Sequence, residues 1–122
     1  MTDQQRSLGK TTIAPDVLTT IVRLTVLGIP GVSRMAPVSG SVDRWLKSGA
    51  SEGVIISVEN NVVYADIYVV LCRDVNVRDV GRLIQSKVTR AISEMVGMEV
   101  GKINVHIEDI DYNLQEDVRS AL

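Results

Sequence analysis

Phenylalanine is absent from these 122 residues, and the only other aromatics are one Trp and three Tyr. With 45% of the chain hydrophobic but only 3% aromatic, any core must be aliphatic, built from Val, Ile, Leu and Met. A single cysteine excludes an internal disulfide and fits a reducing compartment. A single histidine leaves too few nitrogen donors for a multi-histidine metal centre. Neither sign of charge is in large excess. Thirteen Lys and Arg against fifteen Asp and Glu give −2 and a pI near 5.3, without the electrostatic footprint of a nucleic-acid binder. No apolar run approaches the roughly 18 residues that would suggest a membrane-crossing helix, so direct insertion is not expected. The opening MTDQQRSLGKTT lacks an apolar signal core, which makes the cytoplasm the expected location. At 13.3 kDa the chain is most economically one domain.

What is present is concentrated between Val77 and Ile110. Asn76 suits a helix N-cap, with Asp79 three residues on. Val80, Ile84, Val88, Ala91, Ile92 and Met95 then recur at helical spacing as one apolar stripe. Gly97 supplies the left-handed stop. Beyond it Ile103, Val105 and Ile107 alternate with Lys102, Asn104, His106 and Glu108, the period of a half-buried strand.

Upstream, residues 1–7 read as a disordered N-terminus and Lys10–Ile13 as a short strand. Pro15 opens a helix, with Asp16 complementing its dipole. That helix is apolar over more than half its circumference, through Val17, Leu18, Ile21, Val22, Leu24 and Val26. It must therefore lie between the sheet and the second helix or be covered by a partner chain. Gly28–Gly31 ends it, and a strand follows from Val32 that Pro37 interrupts or ends. Ser39–Gly53 reads as a loop in which Val42–Leu46 makes one helical turn around Trp45. Val54–Val58 and Val62–Leu71 form a hairpin turning at Glu59–Asn61. Val63, Ala65, Ile67, Val69 and Leu71 make its apolar face, leaving Val62, Tyr64, Asp66, Tyr68 and Val70 on a mixed, open one. Asn113–Leu122 is a tail or a short helix. The order β-α-β-β-β-α-β implies an α+β two-layer sandwich over residues 8–112, with two helices on one face of a mixed sheet of about four strands.

No group of residues in this pattern announces catalysis. Cys72 has no histidine near it in sequence to act as base, and His106, Glu108 and Asp66 offer too few donors to define a metal site. Walker, dinucleotide, nucleophile-elbow and HExxH signatures are absent, so no cofactor is expected. Gly28–Ile29–Pro30–Gly31 matches the G-x-x-G of KH modules, but the expected strand after it and the negative helix end before it suit phosphate poorly. The candidate contacts are instead surface groups. Tyr64, Tyr68 and His106 belong to the outward sheet face, and Arg78, Arg82, Leu83 and Arg90 to the polar arc of the second helix. Trp45 either covers a core edge or serves as an anchor for a partner.

The same segments carry a family likeness. Gly9–Val17, reading GKTTIAPDV, is similar to an opening G-x-I-x-I-A-P-E-V, and Ile29–Val32 to an E-G-V element. Val80–Gly81 with Ile84–Gln85 and Val88, then Glu94–Val100, then Ile103–Ile110 match V-A-x-x-I-Q-x-x-V, E-x-M-T-G-L-x-V and N-V-x-V-x-D-V. In order and spacing, from Leu8 to Tyr112, the chain resembles the alkaline shock protein twenty-three family of bacterial envelope-stress proteins. It departs from that pattern at Cys72–Asp74, at Asn76–Arg78 and at Val96. The resemblance implies a non-enzymatic, self-associating cytoplasmic protein, held at the inner face of the cell membrane through a membrane-anchored partner. The alternative from the residues is an RNA-binding α+β module using the Gly28–Gly31 loop and the basic helix face.

Overall fold

The computed structural model describes residues 8–38 and 53–112. The expected N-terminal disorder, the loop turn with Trp45 and the C-terminal tail or helix lie outside the described residues. Among the described residues, two helices and four strands follow one another as α1 (Pro15–Leu27), β1 (Val32–Met35), β2 (Val54–Glu59), β3 (Val62–Cys72), α2 (Val77–Ala91) and β4 (Glu99–Asp111). This is the α+β arrangement expected, with one difference. Lys10–Ile13 makes no strand. Both edges of β3 are taken by other strands, and residues 9–14 run to α1 without strand pairing.

β3 occupies the sheet centre. β4 runs parallel to one edge of β3 from Val62 to Cys72. On the other edge β2 pairs antiparallel with Val62–Ile67, and β1 pairs antiparallel with Val69–Leu71. The two short strands therefore share one side of β3 end to end, and they meet at Tyr68. Its N–H donates to the Gly53 carbonyl at 2.8 Å, and its own carbonyl accepts from the Ala36 N–H at 2.8 Å. Gly53 sits at φ +84°, where a Cβ would lie 2.6 Å from the Ala36 oxygen and 2.8 Å from that of Tyr68. Only glycine fits that junction. The β2–β3 turn uses Asn60 and Asn61 at φ 53° and 67°, the paired positive values of a two-residue hairpin loop.

Both helices lie on one face. Val63, Ala65, Ile67, Val69 and Leu71 meet Val22 and Val26 of α1 and Val80, Ile84 and Val88 of α2 in a single aliphatic core. α1 covers β1 and β2, and α2 covers β4. The helices are thus neighbours in one layer, and α1 is not sandwiched between the sheet and α2. Val17 and Leu24, on the side of α1 opposite Val22 and Val26, remain exposed, as does Leu27.

α2 starts as its sequence specifies, with the Asn76 side chain accepting from the Asp79 N–H at 2.9 Å. Its end differs from expectation. Ile92–Val96 widens into a π-turn before Gly97, at φ 76°, stops it, and the Gly97 N–H reaches the Ile92 carbonyl five residues back. The wider turn delays the apolar stripe by one residue. Val96 therefore packs on the core, and Met95 points outward, 69% exposed.

These positions predict a sharp contrast in stability. Ile84→Ala, at a site with no exposed area, should lower the free energy of unfolding by about 3 kcal/mol in urea titrations. Met95→Ala should change it by less than about 0.5 kcal/mol. Similar losses for both would contradict the π-turn.

Candidate functional site

The sheet face away from the helices gathers the residues expected there. Parallel register sets Asp66 beside Asn104 and Tyr68 beside His106. The Asp66 carboxylate accepts from Asn104 Nδ2 at 3.2 Å and contacts His106 Nε2 at 2.9 Å. His106 in turn stacks on Tyr68, with ring centroids 4.4 Å apart and planes 11° from parallel. Near the start of β4 the ring of Tyr64 lies over Gly101, in space that a Cβ would occupy. An aromatic ring laid across a glycine of an outer strand covers backbone that has no side chain of its own.

One expectation is corrected here. Tyr68 faces the predicted side but is buried, 9% exposed, in a small second core with Ala36, Ile55 and Val70, against which Val38 packs. It is a structural residue of this face and cannot serve as an exposed anchor. Tyr64 and His106 remain partly exposed. Chemically the Asp66–His106 pair has the form of a carboxylate orienting an imidazole, the supporting half of an acyl-transfer triad. Asp66 holds one ring nitrogen of His106 and Tyr68 stacks on the ring face, so these contacts tie β4 to β3. Among the described residues no three His, Cys, Asp or Glu converge as metal ligands. Glu108 does not continue the alternation. The register shifts between Val69 and Val70, so that Asp109 stands opposite Val70.

The second-helix arc is divided by the structure. Arg78 and Arg82 line a groove of about 520 Å³ between α2 and the outer edge of β4, with Gln85, Val105 and Ile107. Gln85 Nε2 donates to the Ile103 carbonyl at 3.1 Å and closes one end. Leu83 and Arg90 do not line it. Arg90 is engaged by Glu94 at 3.1 Å, four residues on. No ion pair holds Arg78 or Arg82 among the described residues. The sequence pattern missed this groove because it depends on β4 lying parallel to β3 beneath α2.

The Gly28–Gly31 loop offers no phosphate clamp. Ile29 is 5% exposed in the core, and the Gly31 carbonyl accepts from the Cys72 N–H at 2.8 Å. The loop joins a helix to a strand, and a Cβ on Gly31 would press on Val80 at 3.0 Å. Trp45 lies outside the described residues.

Comparison with known proteins agrees with this architecture. The model of the alkaline shock protein twenty-three family, described as having a cell envelope-related function, matches residues 3–112. The uncharacterized protein YqhY of Bacillus subtilis (strain 168) is 26% identical over 115 residues, spanning 93% of this chain and 85% of that protein. The uncharacterized protein Spy1535 of Streptococcus pyogenes serotype M6 is 31% identical over 104 residues, spanning 84% and 80%. Two solved structures of MamM-CTD, each 11% identical, superpose with TM-scores of 0.52 and 0.50. They cover 80% and 79% of this chain, and 100% and 99% of those chains are matched, a likeness of fold.

Burial and stacking set the expected cost of changes on the sheet face. Tyr68→Ala should destabilise the protein by about 3 kcal/mol, as removal of a buried ring does. His106→Ala, losing one hydrogen bond and one stacking contact, should cost about 1 kcal/mol in the same thermal or urea melts. Equal, negligible costs for both would show that Tyr68 is not part of the core.

Proposed function

This chain belongs to the alkaline shock protein twenty-three family, of cell envelope-related function, and on that premise we propose that it is a non-enzymatic interaction protein. In this reading it associates with itself and binds a membrane-anchored protein that holds it at the inner face of the cell membrane. Among the described residues no helix is long and apolar enough to cross a membrane, so envelope association through a partner is the route this reading requires.

The observation that carries the proposal is the unspent apolar surface of α1. Val17 is 45% exposed, Leu24 58% and Leu27 40%, on the side turned away from the sheet. Near the helix N-terminus, Ile13 and Val58 are also exposed around a hollow of about 390 Å³ reaching Leu18, Ile56 and Met98. Apolar surface of this kind is what protein–protein contact removes from water, at about 25 cal/mol per Å². Tyr64 and His106 on the sheet face and Leu83 and Arg90 on α2 are further candidate contacts in the same reading.

Sedimentation velocity tests the self-association. The unmodified chain should sediment as an oligomer, and the double variant Val17→Glu, Leu24→Glu should shift to monomer without loss of thermal stability. An unchanged distribution would remove α1 from the interface. Cell fractionation tests the tether. The protein should pellet with membranes and be released by alkaline carbonate, as a protein held there by another is.

A further inference from the structure

β4 is thirteen residues long and pairs, among the described residues, only with β3. Its outer edge is unpaired beside the groove, and long unpaired edges are templates for another strand. Three features of the groove wall bear on what pairs there. Arg78 and Arg82 stand one helical turn apart, about 6 Å along the axis, close to the roughly 6.7 Å between same-side residues of an extended chain. Both guanidinium groups lack an ion pair among the described residues. Between them lies Gly81, where an added Cβ would meet nothing within 4 Å. A mid-helix glycine costs about 1 kcal/mol relative to alanine, and here no packing or backbone conformation requires it. What it does is leave the groove open.

We propose that this groove is a docking slot for an extended acidic segment of a partner protein, which adds as a strand to the outer edge of β4. Alternate carboxylates of the segment face α2 and meet Arg78 and Arg82 above Val105 and Ile107, and its intervening side chains turn to the opposite face of the sheet. The inference rests on the binding role proposed above and names the chemistry of one partner. Charge selects the occupant. A second copy paired through β4 would bring two more arginines to the same seam, and like charges that close oppose pairing. An anionic membrane or nucleic acid would favour a broad basic surface, whereas Asp79 and Glu94 interrupt this helix and the chain carries −2 overall.

The test uses a fluorescein-labelled eight-residue peptide of alternating valine and glutamate, followed by anisotropy with the full chain at low salt. Saturable binding is expected, at least tenfold weaker for the double variant Arg78→Ala, Arg82→Ala. Gly81→Leu places a bulky side chain in the groove from a Cβ position free of any neighbour within 4 Å, so it should also weaken binding at least tenfold while leaving the melting temperature unchanged or higher. The same peptide N-methylated at alternate residues should not bind, because it cannot complete a strand ladder. Absence of binding, equal binding of a valine–lysine peptide, or indifference to both variants would overturn the proposal. So would arginine-dependent binding to phosphatidylglycerol vesicles or single-stranded RNA in place of the peptide. Sedimentation of Gly81→Leu separates the two readings. Retained oligomers with lost peptide binding support a distinct slot, and oligomers lost at Gly81 would assign the groove to a second copy and sink it.

Discussion

β3 is hydrogen-bonded along both edges, and that saturation fixes where everything else can go. Its odd-numbered residues from Val63 to Leu71 are aliphatic and buried, so the helices must both gather on that face. Its parallel partner β4 can be reached only by a crossover, which α2 supplies, and α2 consequently lies over β4 and forms one wall of a groove. The opposite edge is shared end to end by β1 and β2. One interaction, the ladder around β3, thus orders the layers and decides which surfaces stay exposed.

The absence of phenylalanine shapes how that core is stabilised. Its largest fully buried side chains are Ile67, Leu71, Ile84 and Ile92, with valines filling the remainder. Branched aliphatic side chains have few rotamers and interdigitate across a pleated face, so each position is strongly specified. Tyr64 and Tyr68 lie on the other side of the sheet instead. Tyr68 closes a small second core and stacks on His106, and Tyr64 lies over Gly101. Ser33, whose hydroxyl donates to the Asp111 carboxylate at 2.6 Å, ties β1 to the far end of β4 across β3.

Much of this was legible in the residues themselves. The Asn76 cap, the Gly97 stop, the Asn60–Asn61 turn and the alternation of β3 are local signals, and the structure places each as the sequence implies. The parts that were not legible depend on tertiary pairing. Met95 carries the helical period, but the π-turn before Gly97 carries it out of the core. Tyr68 carries the strand period of an outward residue, yet the junction of β1 and β2 lies on it and buries it. Arg78, Arg82, Leu83 and Arg90 share a polar arc on a helical wheel. Only the position of β4 distinguishes the two that face a groove from the two that do not, and only contact with Glu94 satisfies Arg90. The surplus apolar surface of α1 was visible in composition, whereas its location, on a helix beside α2 in one layer, required the strand order.

The meeting of β1 and β2 on a single residue has a consequence for how such a fold can vary. Ala36 and Gly53 bond to the carbonyl and N–H of the same tyrosine, so the chain leaves the sheet and re-enters it at almost one point. Both ends of that excursion are held by β3. Doubling the length of the excursion adds only about 0.6 kcal/mol of closure entropy. The scaffold therefore has a natural port for insertions, where different members of a lineage can acquire different appendages while every strand keeps its neighbours.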